Sequence, residues 1–88
     1  MGEMTKKEIV DILVRAGNAL DVSIQYADVF LEYREASANI DANGVIVAHP
    51  RTQNPIDNPY LKIRDSALRK FQSFEIVLGV DEIWRSLP

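Results

Sequence analysis

Apolar positions in the first stretch of the chain recur at helical steps. Ile9, Ile12 and Leu13 follow Thr5-Lys6-Lys7-Glu8, and steps of three and four residues put side chains on one helix face. Thr5 and Glu8 have the spacing of a capping box, in which each side chain satisfies the other residue's backbone N–H. Gly17 stops this helix at about Ala16, since glycine just past a last turn adopts the left-handed conformation without a steric penalty. Asp21 or Ser23 is expected to cap the next helix.

That second helix is predicted from about Val22 to Asp41, closed by Asn43-Gly44. Its apolar residues occupy two faces. Tyr26, Val29, Phe30, Tyr33, Ala36 and Ile40 share one, and Ile24, Ala27, Leu31 and Ala38 share the other. An acidic ridge of Asp28, Glu32 and Glu35 runs between them. A helix apolar on two sides is buried on two sides, so one face is expected in the chain's own core and the other against a neighbouring subunit.

Val45-Ile46-Val47 is short and β-branched and predicts a small strand or extended arm. The pairs His49-Pro50, Asn54-Pro55 and Asn58-Pro59 keep the next stretch extended or turning. Asn58 as N-cap with Pro59 at the first helical position opens a third helix, which runs to about Val77. Tyr60, Ile63, Ala67, Phe71, Phe74 and Leu78 form its core face, with Lys62, Ser66, Arg69 and Ser73 opposite. Arg64 falls inside the apolar face. Leu78-Gly79-Val80 ends the helix, and Asp81 caps a last short one through Leu87. The expected fold is all-α, one domain over residues 1–88, with helices at about 5–16, 22–41, 59–77 and 81–87. Two long antiparallel helices are flanked by short N- and C-terminal helices, with a loop or short β-arm over 44–58 between the long pair.

Composition narrows the function. A chain of 88 residues is one domain at most. Its hydrophobic fraction of 47% is ample for that size, and surplus apolar surface in a small chain points to a partner, most often another copy. With no cysteine, neither a disulfide framework nor a Cys-based zinc site is possible. The start MGEMTKKEIV lacks the apolar core of a signal peptide. No run approaches the roughly 20 apolar residues of a membrane span, so no membrane partner is expected.

The net charge of −3 is unevenly spread: Met1 to Gly44 holds four basic residues against eight acidic, and Val45 to Pro88 six against five. The basic excess is concentrated between Arg51 and Lys70. Lys62, Arg69 and Lys70, with Arg51 in the preceding loop, are candidate phosphate contacts, each adding a salt-dependent, sequence-independent affinity. The plain alternative is a solvated face that balances the acidic ridge. Lys6 and Lys7 stand near a helix N-terminus, where cations are slightly unfavourable, and that mismatch hints at a partner.

Arg64 is expected to pair with a carboxylate of the second helix, Glu32 or Glu35, within or between subunits. Trp84 is a candidate anchor for a subunit contact. With Ile24, Ala27 and Leu31, these two residues make up the expected oligomer interface. Tyr26, Tyr33 and Tyr60 lie at core spacings. His49 is the only histidine and cannot form a two-His metal site. The glycines are scattered, without a phosphate-binding loop, and Ser66 and Ser73 have no His close in sequence. No catalytic residue, metal or cofactor is expected.

The order of pieces resembles the P27-type phage terminase small subunit family. The likeness rests on Tyr33-Arg34-Glu35-Ala36 in an aromatic-rich helix, then Gly44 with its β-branched run. Asn58-Pro59 next opens a long helix containing Ala67, Leu68 and Phe71. Leu78-Gly79-Val80 follows, and Trp84-Arg85 lies in the last turn. It covers about Glu8 to Leu87. The resemblance implies a non-enzymatic DNA-recognition protein that forms a homo-oligomeric ring, marks double-stranded viral DNA for packaging and regulates the large terminase subunit in the cytoplasm of the bacterial host. A helical oligomerisation or protein-adaptor module without nucleic-acid contact is the alternative reading.

Overall fold

The computed structural model describes residues 3–75 and 77–87. In chain order these form α1 (Lys6–Arg15), α2 (Leu20–Asn43), β1 (Ile46–Ala48), β2 (Pro55–Asp57), α3 (Tyr60–Ser73) and α4 (Val80–Trp84). The described residues are therefore mostly helical, with one small antiparallel two-stranded sheet among them.

The α1 N-terminus carries both bonds of the capping box: Glu8 N–H donates to Thr5 Oγ1 at 3.2 Å and Thr5 N–H to Glu8 Oε1 at 3.3 Å. Its C-terminus closes through Gly17, at φ 112°. Gly17 N–H donates to the Val14 carbonyl and Asn18 N–H to that of Leu13, the paired bonds of a Schellman motif. Asn18 then reaches across the molecule. Its Nδ2 donates to the carbonyls of Leu13 and Leu78, and its Oδ1 accepts from Leu78 N–H. One side chain thus joins the α1–α2 turn to the turn before α4.

The α2 helix begins at Leu20, earlier than expected, and neither Asp21 nor Ser23 caps it. Ser23 instead donates its hydroxyl to the Ala19 carbonyl at 2.7 Å. Gly44, at φ 87°, closes the far end with its N–H on Ile40 O. The α3 helix runs antiparallel to α2, since Phe74 and Phe71 meet Tyr26, Lys70 meets Glu32 and Asn58 meets Asn39.

Between these helices the sequence anticipated only one strand or an arm, and the structure forms a hairpin. Ile46 pairs with Asp57, Val47 with Ile56 and Ala48 with Pro55. Pro55 is tolerated because it is the first residue of its strand. His49 organises the turn, with Nδ1 accepting from the N–H groups of Arg51 (3.1 Å) and Thr52 (3.3 Å). Asn58 ends the hairpin and starts α3. Its Oδ1 accepts from Tyr60 N–H, and its Nδ2 donates to Asn39 Oδ1 and Gly44 O. The third helix stops at Ser73, short of the expected end near Val77, and Phe74 is already extended; position 76 lies outside the described residues.

Ile9, Ile12 and Leu13 of α1, Tyr26, Ala27 and Phe30 of α2, and Ile83 of α4 form the core. An aromatic cluster extends it. Trp84 meets Phe30, Tyr33 and Phe71 edge-on, each at 5.2 Å between ring centroids, and its Nε1 donates to Tyr26 Oη at 2.8 Å. Edge-to-face pairs of this kind add about 0.5–1.5 kcal/mol beyond the area they bury. Two expected core residues of the third helix segment and its end are exposed, Ile63 at 40% and Leu78 at 51%. Leu78 lies beyond the helix end, so helical spacing no longer governs its direction.

Candidate nucleic-acid interface

The basic candidates come from three elements. Lys6 and Lys7 open α1, Arg51 stands in the hairpin turn, and Lys62, Arg69 and Lys70 belong to α3; all are exposed. The fold brings two of them together. Lys6 Nζ is 2.8 Å from Asp28 Oδ1, and Lys70 Nζ is 3.4 Å from Glu32 Oε2. Asp28 and Glu32 are one helical turn apart on α2, so a cation from α1 and a cation from α3 are held on the same acidic ridge. This explains a lysine at the unfavourable N-terminal end of α1: its counter-charge comes from α2 rather than from its own helix.

Both pairs are about half exposed. Exposed ion pairs contribute only about 0.2–1 kcal/mol, so the four groups form a charged surface more than a structural strut. Lys7, Arg51, Lys62 and Arg69 make no ion pair among the described residues. Lys62 lines a surface pocket of about 470 Å³ with Asp57, Asn58, Pro59, Leu61 and Asp65.

The expected subunit interface is largely redirected inward. Ala27 is fully buried in the same cluster as the α1 residues, and Leu31 packs partly buried against that cluster. The second apolar face of α2 is thus used in good part by the chain itself. Trp84 is likewise committed to the aromatic cluster and to Tyr26. Ile24 remains at the surface, 36% exposed. Arg64 pairs with neither Glu32 nor Glu35; Lys70 holds Glu32, and Arg64 makes no ion pair among the described residues. It lines a cavity of about 280 Å³ with Tyr33, Arg34, Ser37 and Asp41.

Arg34 is the residue whose role the sequence did not disclose. Its Nη1 donates to the Met4 carbonyl at 2.7 Å and its Nη2 lies 3.6 Å from Glu3, tying the segment before α1 to the middle of α2. A bond to a main-chain carbonyl leaves no side-chain pattern to read. Burial pushes the Tyr26 phenol above its ordinary value, and the bond from Trp84 partly offsets that shift.

Among the described residues no group of three or more His, Asp or Glu is placed to hold a metal ion, and no helix is long and apolar enough to cross a membrane. What the site offers is charge: lysine and arginine heads at the surface, two of them already engaged by carboxylates. A family model described as phage terminase, small subunit, matches residues 7–86 of the chain. No curated protein and no solved structure matches it.

Proposed function

The chain belongs to the phage terminase small subunit family, and from that membership we propose that it recognises double-stranded viral DNA, assembles into a homo-oligomeric ring and regulates the large terminase subunit. Family membership gives it a role in phage DNA packaging; the recognition, assembly and regulation are our reading. It acts without catalytic residues of its own, in the cytoplasm of the bacterial host. The motif order also leads us to assign it to the P27-type branch. The observation that carries the proposal is the match over nearly the whole chain, and the exposed cations Arg51, Lys62, Arg69 and Lys70, with Lys6 and Lys7, are the groups that support a phosphate-contacting role.

A modest basic patch per copy becomes a strong one when copies are arrayed, because each further contact on one duplex is made at high effective concentration. The exposed apolar residues Leu20, Ile24, Val45 and Ile46 supply subunit-contact surface in this reading. Native mass spectrometry with and without a short duplex, across ionic strengths, tests it. A closed oligomer that gains duplex mass at low salt is the expected result, and a monomer or dimer that never takes up duplex overturns it. Replacing Lys62, Arg69 and Lys70 with Gln lowers duplex affinity and flattens its salt dependence; unchanged values remove these residues from the site.

The second reading is a helical oligomerisation or protein-adaptor module without nucleic-acid contact. The pairing of Lys6 and Lys70 with the chain's own carboxylates and the net charge of −3 favour it. An oligomer indifferent to salt and to duplex is its signature, because apolar subunit contacts lack the steep salt dependence of phosphate binding.

A further inference from the structure

We propose that Asp28 and Glu32 are positioning residues that set the DNA affinity of this chain, by holding Lys6 and Lys70 and competing with phosphate for them. The inference rests on the DNA-contacting reading above. Its basis is the geometry of the ridge: two carboxylates one turn apart on α2, one bound to a lysine of α1 at 2.8 Å and the other to a lysine of α3 at 3.4 Å. The lysines come from helices distant in sequence and converge on one strip of surface only because α1 and α3 both pack on α2.

Each carboxylate does two things. It draws a flexible ammonium from the many positions open to a free lysine onto a defined place beside α2. It also neutralises that ammonium with a counter-charge that belongs to the protein. A duplex that reaches Lys6 and Lys70 therefore displaces fixed carboxylates instead of releasing solution ions. Phosphate binding gains much of its drive from the release of condensed counterions, and an internal exchange of partners forfeits part of the gain while leaving two carboxylates near the phosphates. The ridge thus keeps a single copy weak on DNA and leaves strong binding to an array of copies.

The test uses the full chain and a short duplex, with affinity measured across ionic strengths. The double variant Asp28→Asn with Glu32→Gln is expected to bind about three- to tenfold more tightly at low salt. The magnitude of its salt slope should grow by roughly one to two, about 0.9 for each contact that now proceeds with ordinary ion release. A charge-matched control, Asp81→Asn with Glu82→Gln on α4, removes the same charge from exposed carboxylates that hold neither lysine. Adding Lys6→Gln and Lys70→Gln to the first variant is expected to erase the gain. An equal gain in the control, or a gain that survives loss of both lysines, overturns the inference and leaves only a net-charge effect. If the parent binds duplex and the first variant is unchanged, the inference falls while the DNA reading stands. If neither parent nor variants bind at any salt, both fall.

Discussion

Tyr26 combines two roles that a single substitution separates. Its hydroxyl accepts from the Trp84 indole, and burial disfavours its ionised form. Its folded-state pKa lies above the ordinary 10.0, so the native state prefers the protonated phenol. Stability is then fully present below that ordinary value and falls as pH rises through the folded one. Urea unfolding of the parent followed by Trp fluorescence should show stability flat to about pH 9 and declining above about 10. Tyr26→Phe costs about 0.5–1.5 kcal/mol near neutral pH through the lost bond and is expected to diminish the alkaline decline. Gly79 is a second such position. It holds φ 77°, and a Cβ there would lie 2.7 Å from that of Ala16. Gly79→Ala should therefore destabilise by about 1–3 kcal/mol, seen as a lower melting temperature, whereas Gly44→Ala meets no such wall at the surface and pays only for its dihedral.

At the scale of elements, what was legible in the sequence was what local chemistry fixes. The capping box at Thr5 and Glu8, the stop at Gly17 and the start at Asn58-Pro59 each involve residues within a few positions of one another, and their bonds are present in the structure. The apolar face Ile9, Ile12 and Leu13 was equally readable, since a short helix with one stripe has one way to pack. The two-faced α2 was harder. Its second face could serve a neighbour or its own chain, and only the path of α1 across it decides that Ala27 is internal. The hairpin was half visible because Asn54-Pro55 reads as a turn, yet Pro55 opens a strand. Among the candidate site residues, exposure was foreseeable from type, but the partners of Lys6 and Lys70 depend on three helices meeting. Asn58 shows how one residue can join elements: it fastens the end of α2, the end of the hairpin and the start of α3. Asn58→Ala is expected to cost about 1–3 kcal/mol and to speed hydrogen exchange in β1, β2 and the first turn of α3.

At the scale of the whole molecule, the described chain is long and thin, 49 × 31 × 17 Å with a radius of gyration of 15.1 Å. A compact chain of this length has a radius of about 12 Å. An elongated small protein leaves much of its apolar surface uncovered, and Leu20 at 60% and Val45 and Ile46 at 54% exposure are examples. If copies assemble through such surface, folding and association are linked by mass action. The melting temperature is then expected to rise with protein concentration; a value independent of concentration over two decades would argue against assembly of the folded chain.

The Asn18 bridge has a kinetic consequence. It joins positions 60 residues apart, at the seam where α1 meets the approach to α4. Bringing such distant segments together is entropically costly and gains contacts only once α2 and α3 have already packed. The seam should therefore close after the rate-limiting barrier. Asn18→Ala is expected to accelerate unfolding in a chevron experiment while leaving the refolding arm nearly unchanged, a φ-value near zero. The bridge then governs how long a folded copy survives between encounters, not how quickly a new one forms.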